Sequence, residues 1–203
     1  MRRALIVLFG LLALAACGGP AEPVWAPDDA VKAARFSTGG PAKITIFTMT
    51  STRNGSGMHS SMMIDASERV IFDPAGTFTL PFTPERNDVH HGIDDRALDV
   101  YLDYYARATI DVNVQEISVT PAEAERVLEL AKAYGAVPKA QCTLSITRIL
   151  RDADIADLPV TYFPKRLLIS VDKLPGVERR VLSDTDANKN HGVLIQAIED
   201  RGI

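Results

Sequence analysis

The sequence predicts an α+β domain built on a mainly antiparallel sheet. Two strand-like runs, 59–65 and 69–73, are separated by only three residues, and that spacing reads as a hairpin. A Thr-Pro-Ala-Glu segment at 120–123 is a helix start, with threonine as cap, proline in the first turn and glutamate bonding back. Strands and helices in this order, rather than in strict alternation, indicate α+β architecture.

Taken in order, Ile44 to Met49 reads as the first strand. The glycine- and asparagine-rich Ser51 to Gly57 follows as a loop. His59 to Asp65 and Arg69 to Asp73 are the hairpin strands, with Ala66 to Glu68 as the turn. Pro74-Ala75-Gly76 ends the second strand, because proline cannot donate to a ladder. Residues 77–94 read as irregular. Tyr101, Tyr104, Tyr105 and Ala108 recur at three- and four-residue spacing and predict a helix over 96–108. Ile110, Val112 and Val114 alternate as in a strand reaching Val119. The helix that starts at Thr120 buries Val127, Leu128 and Ala131, and Gly135 ends it. Around Cys142 the pattern fits two elements. Cys142, Ile146, Ile149 and Leu150 share a helical face, whereas Cys142, Leu144 and Ile146 share a strand face. The helix is favoured. Further helices are expected from Pro164 to Leu174 and from His191 to Ile203.

The N-terminus carries a different signal. Arg2 and Arg3 precede an apolar run, Ala4 to Ala16, that is shorter than the roughly 20 residues needed to span a bilayer. A positive start, a short apolar stretch and small residues at its end describe a secretory signal peptide. Leu14-Ala15-Ala16-Cys17 resembles the bacterial lipobox. That resemblance implies cleavage before Cys17, acylation of its sulfur (palmitate-type chains) and anchoring to a membrane. Gly18 after the cysteine leans toward the outer membrane. The expected organisation is thus a signal peptide over 1–16, a lipidated tether over 17–42 and one domain over 43–203. The tether holds Pro20, Pro23, Pro27 and Pro41, and its Trp25 could dock on the domain or on lipid.

Removing residues 1–16 leaves 187 residues, enough for one real core. It also moves the formal charge from -4 to -6, which is no footprint for nucleic acid. Of the two cysteines, lipidation consumes one. Cys142 is left alone in an oxidising compartment, where cysteines usually pair. It is either a reactive thiol or a buried small hydrophobe.

Cysteine catalysis needs a thiolate, a histidine within reach and a polar group that fixes the imidazole. The sequence offers Cys142 at a possible helix start, His59 at a strand start and Asp73 at the end of the paired strand. The order histidine, polar residue, distant cysteine resembles the circularly permuted papain-like cysteine hydrolases, the permuted NlpC-type group that includes relatives of lecithin retinol acyltransferase. The matching stretches are Met58-His59-Ser60-Ser61-Met62-Met63-Ile64-Asp65, Arg69-Val70-Ile71-Phe72-Asp73-Pro74-Ala75-Gly76, Gln141-Cys142-Thr143-Leu144 and the Phe-Pro-Lys-Arg-Leu-Leu run from Phe163. Family members usually have glycine two residues after the histidine, where this chain has Ser61. The resemblance implies a papain-like fold in permuted order and cofactor-independent acyl transfer. Cys142 would be the nucleophile, His59 the base and Asp73 its orienting group. The Cys142 N–H would hold the oxyanion, with Gln141 as a possible second donor. A peptidoglycan amide ranks first as substrate and an acyl lipid second.

Other features read more plainly. His90 and His91, with Asp88, Asp94 and Asp95, lack strong zinc spacing and read as a solvated acidic loop; no metal is expected. Gly55-Ser56-Gly57 is not a serine-hydrolase elbow. The tyrosine stripe reads as core first and as a ligand-facing wall second. The competing functional reading is a non-catalytic envelope lipoprotein, which requires Cys142 buried and His59 out of its reach. An unrelated fold would put Cys142 on a strand. Oligomeric state and protein partners are not legible.

Overall fold

The computed structural model describes residues 19–187 and 191–202. The expected signal peptide and the lipidation at Cys17 lie outside the described residues. Seven strands form one sheet: β1 (Lys43–Ser51), β2 (Gly57–Asp65), β3 (Arg69–Phe72), β4 (Glu85–Arg86), β5 (Val89–His91), β6 (Ile110–Ser118) and β7 (Glu178–Leu182). Their spatial order is β4-β5-β3-β2-β1-β6-β7, and every neighbouring pair is antiparallel. Six helices are described: α1 (Asp28–Ala34), α2 (Asp95–Tyr105), α3 (Pro121–Tyr134), α4 (Cys142–Asp152), α5 (Pro164–Val171) and α6 (His191–Glu199). The chain is therefore α+β with an antiparallel sheet. None of these helices is long and apolar enough to cross a membrane.

The sheet has a core on each face, because side chains alternate along a strand. Ile44 and Ile46 of β1 join Met62, Ile64 and Phe72 on one face, packed against Val127 and Leu128 of α3, Ile146 and Ile149 of α4 and Leu167 of α5. Phe47 and Met49 join Met63 and Ile71 on the other, packed against Tyr101, Tyr104 and Tyr105 of α2 and Leu194 of α6. The cap at Thr120 forms as expected: its hydroxyl accepts from the Glu123 N–H, and the Glu123 carboxylate accepts from the Thr120 N–H.

Three elements depart from the sequence reading. Residues 85–91, expected to be irregular, form the β4–β5 hairpin. Its two connecting residues, Asn87 and Asp88, have φ of 48° and 67°. Two positive φ angles are what a tight two-residue hairpin requires, and asparagine and aspartate tolerate them. Strand β7 is an exposed edge, Glu-Arg-Arg-Val-Leu, with no apolar alternation to betray it. Charge on an edge strand discourages pairing with other chains. The third departure is the expected tether, whose described part is docked. Ala26 N–H donates to Glu85 O and Asn87 N–H to Val24 O, so residues 24–26 cover the open edge of β4. Helix α1 follows, tied by an ion pair between Asp28 and Arg86, and Phe36 O accepts from Arg69 N–H. An uncovered edge leaves backbone groups unpaired, and this segment satisfies several of them.

Ile146 is completely buried between α4 and the sheet, whereas the Thr120 cap is exposed. Ile146→Ala is expected to cost about 2–5 kcal/mol and Thr120→Ala about 1 kcal/mol, measured as loss of unfolding free energy in urea.

Candidate active site

The antiparallel register brings the sequence candidates to one end of the sheet. β2 begins at that end, so His59 lies there, opposite Met49 of β1. The β1–β2 register shifts between Met49 and Thr50, and such irregularities re-aim nearby side chains. β3 runs the other way, so Asp73, one residue past its end, arrives beside His59. The Asp73 N–H donates to Asp88 O (2.8 Å), and its own carbonyl accepts from Gly76 N–H (2.9 Å) in a tight turn. A Cβ on Gly76 would fall 2.1 Å from Asp73 Oδ2, so only glycine fits there.

Cys142 is the first residue of α4, so the helix reading holds over the strand reading. Its helix is anchored by the buried Ile146, Ile149 and Leu150. Ala140 just before it has φ of 66°, a conformation disfavoured for residues with a Cβ and one that concentrates at functional sites. Gln141 precedes the helix, half-buried, and its side chain does not cap it. The first-turn N–H groups, Cys142 among them, therefore lie at the positive end of the helix dipole.

The geometry is that of a buried histidine–carboxylate pair with a thiol nearby. His59 Nε2 is 2.6 Å from Asp73 Oδ1. Tyr105 Oη donates to the other carboxylate oxygen, Oδ2, at 2.7 Å. The Tyr105 ring also stacks on the imidazole, with centroids 5.7 Å apart and planes 21° apart. With Nε2 on Asp73, Nδ1 is the nitrogen left for another partner, and Cys142 lies close enough to His59 for the two to influence each other's charge. Cys142 Sγ also lies 3.8 Å from Thr143 Oγ1, which donates to Ser60 Oγ.

Electrostatics follow from these contacts. Burial pulls the His59 pKa down, but the charge and hydrogen bond of Asp73, helped by Cys142, push it up to about 10. Burial raises Asp73, but His59 and the Tyr105 hydroxyl outweigh that and hold it below the usual carboxylate range. Burial also raises the Cys142 thiol, and the hydrogen bond and charge of His59 reverse the direction and lower it. The arrangement favours a thiolate–imidazolium pair. A cleft of about 220 Å³ on the tyrosine side of His59 is lined by Met49, Met58, His59, Gly76, Tyr105 and Ile110, among others; Cys142 is not in its lining.

Two residues important to this geometry were not legible as such. Tyr105 belongs to the stripe expected as core; it is core, yet its hydroxyl orients Asp73. Asp88 was assigned to a solvated loop, but it is buried. Its Oδ2 accepts from Ala75 N–H (3.1 Å) and from Val137 N–H (2.8 Å), joining the Asp73 turn to the loop that leads to Cys142. The solvated-loop reading fails for the adjacent histidines too. Both are buried, on opposite faces of β5 as consecutive strand residues must be. His90 packs edge-on against Phe78. His91 Nδ1 is 3.1 Å from Glu68 Oε2, whose partner oxygen accepts from Lys132. Opposed in this way, the two rings cannot share one metal.

Compared with known protein families, curated proteins and solved structures, the chain matches none.

His59 is raised from 6.5 to about 10 on folding. Its contribution to stability is therefore complete below pH 6.5 and lost as pH rises through about 10. The depressed Asp73 contributes above its ordinary value of 3.8 and loses that contribution as pH falls below it. A proton-detected histidine titration should show His59 still charged at pH 8, and Asp73→Asn should bring its midpoint down toward 6.5. Separately, Asp88→Ala is expected to slow Cys142 alkylation at least tenfold, while Asp88→Asn, which keeps an acceptor oxygen, retains most of the rate.

Proposed function

We propose that this protein is a membrane-anchored cysteine hydrolase or acyltransferase of permuted papain-like type, acting on an amide or ester carbonyl. The observation that carries this reading is the buried His59–Asp73 pair, 2.6 Å apart, with the Cys142 thiol near enough to couple to it. A buried carboxylate fixes one imidazole nitrogen and leaves the other unengaged by it, with a thiol at a helix N-terminus nearby. The permuted order of these groups, the antiparallel sheet and the cysteine helix packed on its face support the finer fold assignment. The lipobox-like segment supports export and anchoring through Cys17 to the envelope, on the periplasmic side. Residues 17–42 then act as a short anchor segment that is partly docked.

The steps follow from the protonation states. The Cys142 thiolate adds to the carbonyl carbon, and the oxyanion is held by the Cys142 N–H at the helix start. The C–N or C–O bond breaks, and the leaving amine or alcohol takes the proton from His59. The resulting thioester is attacked by water, or by an acceptor alcohol or amine in acyl transfer. Neutral His59 removes the attacking group's proton, and the acyl product leaves as the thiolate is restored. Asp73, with Tyr105 behind it, keeps the imidazole in the required tautomer throughout. Gln141 stands beside the helix start as a candidate second oxyanion donor.

The test is the pH dependence of Cys142 alkylation by iodoacetamide in a Cys17→Ser protein. Labelling should be fast well below the free-thiol pKa of roughly 8.5, and His59→Ala should slow it at least tenfold near neutral pH. Hydrolysis of an activated thioester should follow the same profile and vanish in Cys142→Ala. Slow labelling that His59→Ala leaves unchanged would sink the enzyme reading and leave a binding lipoprotein.

A further inference from the structure

A second polar pocket lies toward the other end of the sheet. β5 runs antiparallel to β3, so His91 lies opposite Val70 while Val89 lies opposite Phe72, next to Asp73. His91 is therefore directed away from the Cys142 end, toward the turn that carries Glu68. A pocket of about 190 Å³ sits there, between the domain and the docked N-terminal segment. The segment contributes Trp25 and Val31 of α1. The domain contributes Arg86, Val89 and His91 from the β4–β5 hairpin, with Glu68 and Lys132. Val89 and His91 share one face of β5, as alternate strand residues must.

The hydrogen bonds of this lining leave donors over. Glu68 is saturated: Oε1 accepts from Lys132 at 2.6 Å, and Oε2 is 3.1 Å from His91 Nδ1. Burial pushes the Glu68 carboxyl up, but its bonds to His91 and Lys132 outweigh that and hold it at about 2, so it stays an anion. Lys132 carries three N–H donors, and this bond uses one. Arg86 donates through Nε to Ala26 O and through Nη2 to Asp28, and Nη1 has no partner among the described residues. The His91 side chain is 4% exposed. Its Nδ1 is held on Glu68, and its Nε2 has no partner among the described residues and is the ring nitrogen left to the pocket. A buried polar side chain is ordinarily hydrogen-bonded. Three side chains thus bring spare hydrogen-bonding capacity to one small volume.

The rest of the lining is apolar. Trp25 is 66% exposed, and its indole lies over the Arg86 guanidinium at 4.6 Å. Val31 and Val89 add aliphatic surface. Two cations, Arg86 and Lys132, against the one carboxylate of Glu68 leave the lining a formal charge of one positive. Asp28, which also pairs with Arg86, stands outside the lining with its side chain 94% exposed. The volume is below the roughly 300 Å³ at which pockets for drug-sized ligands begin, so the occupant is small.

We propose that this pocket is a binding site for a small aromatic monocarboxylate. The carboxylate accepts from the Lys132 ammonium, the Arg86 guanidinium and His91 Nε2, as charge-assisted bonds favour. The ring packs against the Trp25 indole and the two valines. A single negative charge matches the single surplus positive charge. Glu68 does not contact the ligand by hydrogen bond; it fixes His91 and Lys132 from behind. Because Trp25 and Val31 belong to the docked segment and the other groups to the domain, the ligand also fastens that segment to the sheet edge. Trp25, for which the sequence left two docking partners open, packs on the domain. The site is independent of the chemistry at Cys142.

The test is calorimetric titration of the full-length protein, in detergent micelles at neutral pH, with benzoate as probe. Trp25 is the only tryptophan in the chain, so its emission reports occupancy in parallel. Benzoate should bind saturably, one per chain, with a change in Trp25 emission, and should raise the unfolding temperature, since a ligand that binds only the folded state stabilises it. Lys132→Gln should weaken binding at least tenfold. Val31→Phe, which fills the pocket and leaves every charge in place, should do the same, so a loss does not depend on disturbing the Glu68 network. Cys142→Ala should bind as the wild type does. No saturable heat and no change in Trp25 emission overturn the site. So does binding that both Lys132→Gln and Val31→Phe retain. Acetate or inorganic phosphate binding as tightly as benzoate overturns the assignment of an aromatic carboxylate.

Discussion

A carboxylate almost wholly removed from water, Asp73, sets the terms for everything around it. An isolated buried charge is costly unless paired and hydrogen-bonded. Here one oxygen is matched by His59 and the other by the Tyr105 hydroxyl. The same compensation raises His59 and so stabilises the thiolate of Cys142. One electrostatic requirement thus fixes the tautomer and orientation of His59 and lowers the pKa of Cys142. It also explains why the turn at Asp73 is crowded. Gly76 must lack a Cβ, and Asp88 must tie the turn to the Cys142 loop, because movement of either would leave the carboxylate exposed or unpaired.

Much of this arrangement was legible in the sequence, for identifiable reasons. The β2–β3 hairpin announced itself through two strand-like runs joined by three residues, and its antiparallel register is what brings Asp73 to His59. The α3 cap was written as Thr-Pro-Ala-Glu and forms as such. Cys142 stood out because no second structural cysteine is present to pair with it. The ambiguity between helix and strand at Cys142 was resolved by length, since eleven residues of α4 keep Ile146, Ile149 and Leu150 on the sheet.

What was missed lacked a local signal. Strand β7 carries charge where a half-buried strand would alternate, because it is an edge with little to bury. The β4–β5 hairpin is too short for periodicity, and its evidence lay only in Asn87-Asp88. Asp88, His90 and His91 looked hydrophilic, yet their burial is compensated by partners distant in sequence: Val137 and Ala75 for Asp88, and Glu68 with Lys132 for His91. Residues 24–36 looked like a spacer from their prolines. Their docking depends on an open sheet edge contributed by residues sixty positions later.

The two-faced sheet constrains where chemistry of this kind can occur. His59 belongs to the strand face that meets the tyrosines of α2, as its stacking on Tyr105 shows. Cys142 comes from α4, on the opposite face. Through the middle of the sheet these groups would be separated by a full layer of backbone. They can approach only near the start of β2, at the last regular pair with β1, Met49–His59, next to the register break. The site must therefore lie at a sheet end, among turns, rather than within either core. That location keeps the apolar packing of both faces intact, which separates fold stability from the geometry of the candidate site. It also makes the site reachable from the surface and from the incoming N-terminal segment. The features that strain the backbone, Ala75 with φ of 56° and Ala140 with φ of 66°, gather at this same end. There the chain holds conformations that neither core would impose, and the contacts of Asp73 and Asp88 sustain them.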